Sequence, residues 1–167
     1  MKKILSILVR NRPGVLSHVA GLVTRRGYNV ESIAAGPTEN PAVTRITLVV
    51  SGDEPVLEQV AKQVRKLVDV FHVQDLTNDE AVSGELALIT VKADAGERGQ
   101  VLNIVSLLSL SVTDVSDEYL TVMAAGTSLT VDMAVTSLKA HGILAMARTG
   151  VVALPRRRDP RVPNGKK

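Results

Sequence analysis

The chain has 167 residues, 45% of them hydrophobic, no cysteine and a formal net charge of +3. That length and apolar content exclude a disordered regulator and allow one medium domain or two small ones; the lack of cysteine excludes disulfides, thiolate metal sites and a cysteine nucleophile. The positive charge is local: the segment 155–167 carries six Lys and Arg against one Asp, so residues 1–154 are net −2 and show no nucleic-acid footprint. With only Tyr28, Phe71 and Tyr119 as aromatics, the core must be aliphatic. The short apolar run after Met1-Lys2-Lys3 is closed by Arg10, too soon for a signal peptide. The uncharged stretch 99–113 falls short of the ~20 apolar residues a spanning helix needs. The expectation is a soluble protein, with no membrane role, in a reducing compartment such as cytoplasm or an organelle stroma.

Residues 3–9 read as a strand. After Arg10-Asn11-Arg12-Pro13-Gly14, the residues Val15, Val19 and Val23, with Leu16, Ala20 and Leu22, form a helical stripe. Residues 28–35 are extended, 36–41 (GPTENP) a turn, and 43–50 alternate as a strand. Asp53 is placed to cap a helix whose stripe runs from Val56 to Val68, before a strand over 70–76. The polar segment 77–84 (TNDEAVSG) reads as a linker. The order then repeats: a strand over 86–91, a helix with Val101, Leu102, Val105 and Leu108, strands over 112–115 and 119–125, a helix entered at Gly126-Thr127-Ser128 with Met133, Ala134, Val135 and Leu138 inward, and a strand over 143–154. This β-α-β-β-α-β order, twice, predicts an α+β protein of two ferredoxin-like sandwiches: 1–76, linker 77–84, 85–154, and a basic tail 155–167. Ile4 and Leu8 point away from Leu5, Ile7 and Val9, so the second sheet face is partly apolar and a partner subunit is its expected cover.

The candidate chemistry is sparse. His18, His72 and His141 lack metal-ligand spacing. No nucleophile elbow, P-loop or dinucleotide fingerprint occurs, and Asp53-Glu54 and Asp79-Glu80 fit solvated cap or linker positions. RNA modules of this topology stack bases on aromatics of the central strands, but KILSILVR and VTRITLVV contain none. A small enzyme using Arg10 or Arg12 remains an alternative. At the turn RNRPG, a helix starting near Val15 would present the N–H groups of Gly14 and Val15 to a small carboxylate. Pro13 would fix the entry and Asn11 offer a donor and an acceptor. The plainer alternative is that Pro-Gly merely starts a helix.

The run RNRPGVLSHVAGLVTRRGYNVESIAAGPTE resembles the amino-acid-binding ACT domain in the form carried by the small, regulatory subunits of acetolactate synthase (acetohydroxyacid synthase). The similarity continues through TRITLVVSGDE, VLEQVAKQVRKLVDV, ELALITVKA, TDVSDEYLTV and ARTGVVAL, covering about residues 2–154. The resemblance implies an N-terminal ACT domain, a C-terminal ACT-like domain, and no active site. It further implies binding to a catalytic large subunit that holds thiamine diphosphate, magnesium and FAD, none of these residing on the small subunit. It implies activation of that subunit and feedback inhibition by valine or another branched-chain amino acid. ACT domains pair as homodimers, so the effector would meet Asn11, Pro13, Gly14 and Val15 of one chain and Asn29 of the other, its side chain resting on Leu16 and Ile33. A stand-alone amino-acid-sensing regulator is the nearest alternative. The chain departs from the family in placing Arg10 and Arg12 where an acidic residue is frequent, and in the charge-poor segment 106–110 (SLLSL).

Overall fold

The computed structural model describes residues 1–25, 27–77 and 81–156. The chain divides into two compact units: Met1–Ser83 with the described residues from Val151 to Arg156, and Gly84–Gly150.

In the first unit the order is β1 (Lys2–Arg10), α1 (Val15–Arg25), β2 (Asn29–Pro37), β3 (Val43–Ser51), α2 (Glu54–Val64) and β4 (Val70–Asp75). The four strands form an antiparallel sheet in the order β2-β3-β1-β4, which leaves β2 at an edge. Leu5, Ile7 and Val9 of β1 and Ile46, Leu48 and Val50 of β3 face one side, as the two-residue strand period requires. There they meet Val15, Val19 and Val23 of α1 and Leu57, Val60 and Val64 of α2. The core is aliphatic.

Helix α2 is shorter than its apolar stripe suggests. It is capped at Arg65, and Val68 is 92% exposed. Asp53 holds the extended cap backbone without a side-chain cap bond; Pro55 in the first turn, where its missing N–H is harmless, marks the start instead.

The centre of this sheet's second face is covered within the chain. Leu8 and Val49 are buried, as are Ser6 and Thr47 between them. Strand β9 (Val152–Pro155) lies here: the buried Ala153 donates its N–H to Thr47 Oγ1 at 3.3 Å. The expectation of a single strand over 143–154 is therefore corrected. Gly150 takes φ +72°, a left-handed conformation that ends one strand and lets the next belong to the first unit. The linker expected over 77–84 also differs, since a strand already starts at Ala81; residues 78–80, with Asp79 and Glu80, lie outside the described residues.

The second unit follows the same plan with β5 (Ala81–Lys92), α3 (Arg98–Leu107), β6 (Ser111–Val115), β7 (Tyr119–Gly126), α4 (Ser128–Lys139) and β8 (Ile143–Arg148), the sheet running β6-β7-β5-β8, with β9 also paired to β5. Ala87, Ile89, Val91, Leu120, Val122 and Ala124 face Val101 and Val105 of α3 and Val131, Ala134 and Leu138 of α4. Thr127 caps α4, its hydroxyl accepting the Thr130 N–H at 3.2 Å. Met133 and Leu102, expected inward, are about half exposed because their positions fall beside rather than on the buried stripe. Next to the unit boundary, the buried Glu85 carboxylate accepts from Arg148 Nε at 2.7 Å, and Arg148 Nη1 reaches Asp132 at 2.9 Å. Burial pulls against the Arg148 charge, but the Glu85 bond outweighs it and raises the guanidinium further above its usual range. Among the described residues no helix is long and apolar enough to cross a membrane.

Candidate functional site

The turn between β1 and α1 is built from outside its own sequence. Asn11 is tied twice to the β2–β3 connection: its N–H donates to Ala42 O and its Nδ2 to Pro41 O, both at 2.8 Å. Arg10 donates its N–H to Asp69 O at 2.9 Å. Gly14 has φ +86°, and beyond its chain neighbours nothing lies within 4 Å of where a Cβ would stand, so glycine is there for its backbone conformation, not for lack of room. The Gly14 carbonyl accepts from His18 N at 3.0 Å, opening α1, while the Val15 N–H has only a 3.5 Å approach to Arg12 O. Asn11, Pro13 and Gly14 before this helix start are exposed, while the Val15 side chain is buried.

The two arginines have a partner that sequence reasoning missed. Asp69, in the exit from α2, keeps a side chain only 9% exposed. Arg12 Nη2 reaches its two oxygens at 2.7 and 2.9 Å, and Arg10 Nε lies 3.8 Å away. The Arg10 guanidinium also sits 5.8 Å from the Phe71 ring centroid, a cation–π distance. The valines flanking Asp69 do not signal the pairing, since Val68 is 92% exposed; the match appears only with β1 and β4 side by side. Beside this pair lies a cleft of about 360 Å³ bounded by Val15, His18 and Val19 of α1 and by Leu67 and Val70.

The remaining predicted residues separate. Val15 is core; Leu16, on the outer side of α1, is exposed; Ile33 is half-buried against the core from β2. Asn29 starts β2 and donates from Nδ2 to Ser51 Oγ at 2.6 Å. It stands in one cross-strand row with Ser51 and Lys2, whereas Arg10 pairs with Val43 eight residues up the sheet. At ~3.4 Å per residue this puts Asn29 about 27 Å from the Asn11 end. One chain does not bring Asn11 and Asn29 together.

A βαββαβ unit with an edge strand β2 and an exposed, glycine-turned β1–α1 loop defines an ACT-type domain, and here it precedes a second unit of the same plan. The sequence matches the AHAS small subunit-like ACT domain over residues 5–72 and the small subunit of acetolactate synthase over residues 84–157. The chain belongs to the acetolactate synthase small-subunit family. It is 44% identical over 152 residues to the acetolactate synthase small subunit of Mycolicibacterium smegmatis, covering 91% of this chain and 89% of that one. A probable acetolactate synthase small subunit of Methanothermobacter thermautotrophicus is 42% identical, covering 92% of each chain. The solved acetolactate synthase small subunit of Thermotoga maritima superposes with a TM-score of 0.86 at 34% identity, over 95% of this chain and 99% of that one. Membership makes the chain a regulatory subunit and implies a catalytic large-subunit partner.

Proposed function

We propose that this chain binds the catalytic subunit of acetolactate synthase, raises its activity and confers feedback inhibition by valine, without an active site of its own. Thiamine diphosphate, magnesium and FAD belong on the catalytic subunit. The effector site lies between two copies of this chain. The observation that carries this reading is the placement of Asn11 and Asn29 at opposite ends of one sheet whose edge is β2. Because β2 runs parallel to β1, a two-fold copy pairing antiparallel along β2 brings its own Asn29 to the end where Asn11 and Gly14 stand. The effector carboxylate then meets the N–H groups at the start of α1, with Asn11 and the second chain's Asn29 beside it and Leu16 offering apolar surface. The β2 edge, a ladder unpaired within the chain, is the surface along which the two copies pair.

Reconstitution with the catalytic subunit tests this. The chain should raise the rate and valine should lower it, while Gly14→Asp, placing a carboxylate where the effector's belongs, should still activate but resist valine. Unchanged valine sensitivity in that variant contradicts the site.

A further inference from the structure

Two guanidinium groups beside a loop proposed to bind a carboxylate look like its anchors. The geometry points elsewhere. Arg12 spends its Nη2 on both oxygens of Asp69; Arg10 gives its main-chain N–H to the Asp69 carbonyl, while its guanidinium lies 3.8 Å from the same carboxylate and leans on Phe71; and the Asp69 side chain is almost fully enclosed. An enclosed carboxylate that lost its cation would be strongly disfavoured, so the pair persists whether or not a ligand is present. Resting on the effector-binding reading above, we infer that Asp69 is a positioning and specificity-determining residue of the effector loop. It holds residues 10–12 in place and cancels one of their two cations, so that the site accepts a zwitterion rather than favouring a more negative ligand.

Three consequences follow from the same contacts. The ligand carboxylate is left to the N–H groups at the start of α1 and to Asn11, not to a guanidinium. The ammonium of an amino acid faces a loop of two cations and one anion instead of two bare cations. The loop is fixed from both sides, by Asp69 through residues 10 and 12 and by the Pro41–Ala42 turn through Asn11. The other titratable group at this cleft is His18 of α1.

The probe pair is valine and 3-methyl-2-oxobutanoate, which share the carboxylate and the branched side chain and differ in the ammonium. Both are titrated calorimetrically into the full-length chain and its variants, with circular dichroism as a check on folding. Asp69→Asn leaves both arginines uncompensated and should shift the ratio of the two dissociation constants toward the oxo acid by about two- to fivefold, the scale of a partly exposed charge contact. Arg12→Gln, at an exposed position, removes a cation and should shift the ratio the other way. The double variant has the original charge, so its ratio should return to that of the parent even though both ligands bind more weakly. If the variants weakened both ligands equally and left the ratio unmoved, Asp69 would be a structural residue only and the inference would be overturned. A parent chain that bound neither compound would overturn the effector reading itself, a distinct result.

Discussion

Arg148→Ala isolates the largest electrostatic liability in the second unit. The Glu85 side chain is 5% exposed and its Oε1 receives Arg148 Nε at 2.7 Å. Removing the guanidinium strands that carboxylate, and breaking a buried pair from one side costs about 3–5 kcal/mol. The second bond of Arg148 goes to Asp132, which is 59% exposed, so Asp132→Ala should cost no more than ~1 kcal/mol. Replacing both buried partners, as in Glu85→Leu with Arg148→Met, should be much milder than Arg148→Ala alone, because no charge is left stranded. Amide hydrogen exchange of Ile89 and Val122, buried in the centre of β5 and β7, reports this unit separately from the first. Protection at both should fall by two orders of magnitude or more in Arg148→Ala, the factor that ~3 kcal/mol implies. Equal protection in Arg148→Ala and Asp132→Ala would refute the reasoning.

Gly14→Ala should lower stability by about 1 kcal/mol through its left-handed backbone rather than through a clash, since space is open there; denaturant titration showing no loss would contradict the assigned conformation. Thr47→Val removes the acceptor of the buried Ala153 N–H and should destabilise the first unit by about 1–3 kcal/mol, with Thr47→Ser largely restoring it; equal stability of all three would mean β9 is not anchored there. For Asp75, burial raises the pKa, but the Thr77 hydroxyl and N–H together with Lys3 outweigh it and bring it below its ordinary 3.8. A depressed carboxylate stabilises the fold above its unfolded pKa and loses that contribution as pH falls through the folded value. The stability difference between parent and Asp75→Asn should therefore be full at neutral pH and shrink below pH ~4; a difference independent of pH would rule the ion contacts out.

The fold was legible in the sequence because its signals are local. Period-two runs in β1 and β3, helical stripes in α1 and α2, and a repeated element order predict two ferredoxin-like units, and the strand order has that topology. What the sequence hid are long-range contacts. The placement of β9 rests on Gly150, on pairing with β5 and on a bond from Ala153 to Thr47, 106 residues apart, and no local pattern in residues 143–154 encodes it. The early end of α2 was masked because Leu67 and Val68 continue the apolar spacing past the cap. At the loop, Gly14 and Asn11 could be picked from chemistry alone, yet Asp69 could be matched to Arg10 and Arg12 only once β1 and β4 were seen side by side.

The central claim, an amino-acid site completed by two chains, is tested most directly by complementation. Asn11→Ala and Asn29→Ala chains are purified separately, mixed under exchange conditions, and titrated with valine by calorimetry. Each variant alone should bind valine on the order of ten- to a hundredfold more weakly, the worth of a hydrogen bond to a charged group. In the mixture each heterodimer has one site with both asparagines and one with neither, so about a quarter of the parent's sites should return at parental affinity. A mixture that binds no better than its components would contradict a site shared between chains.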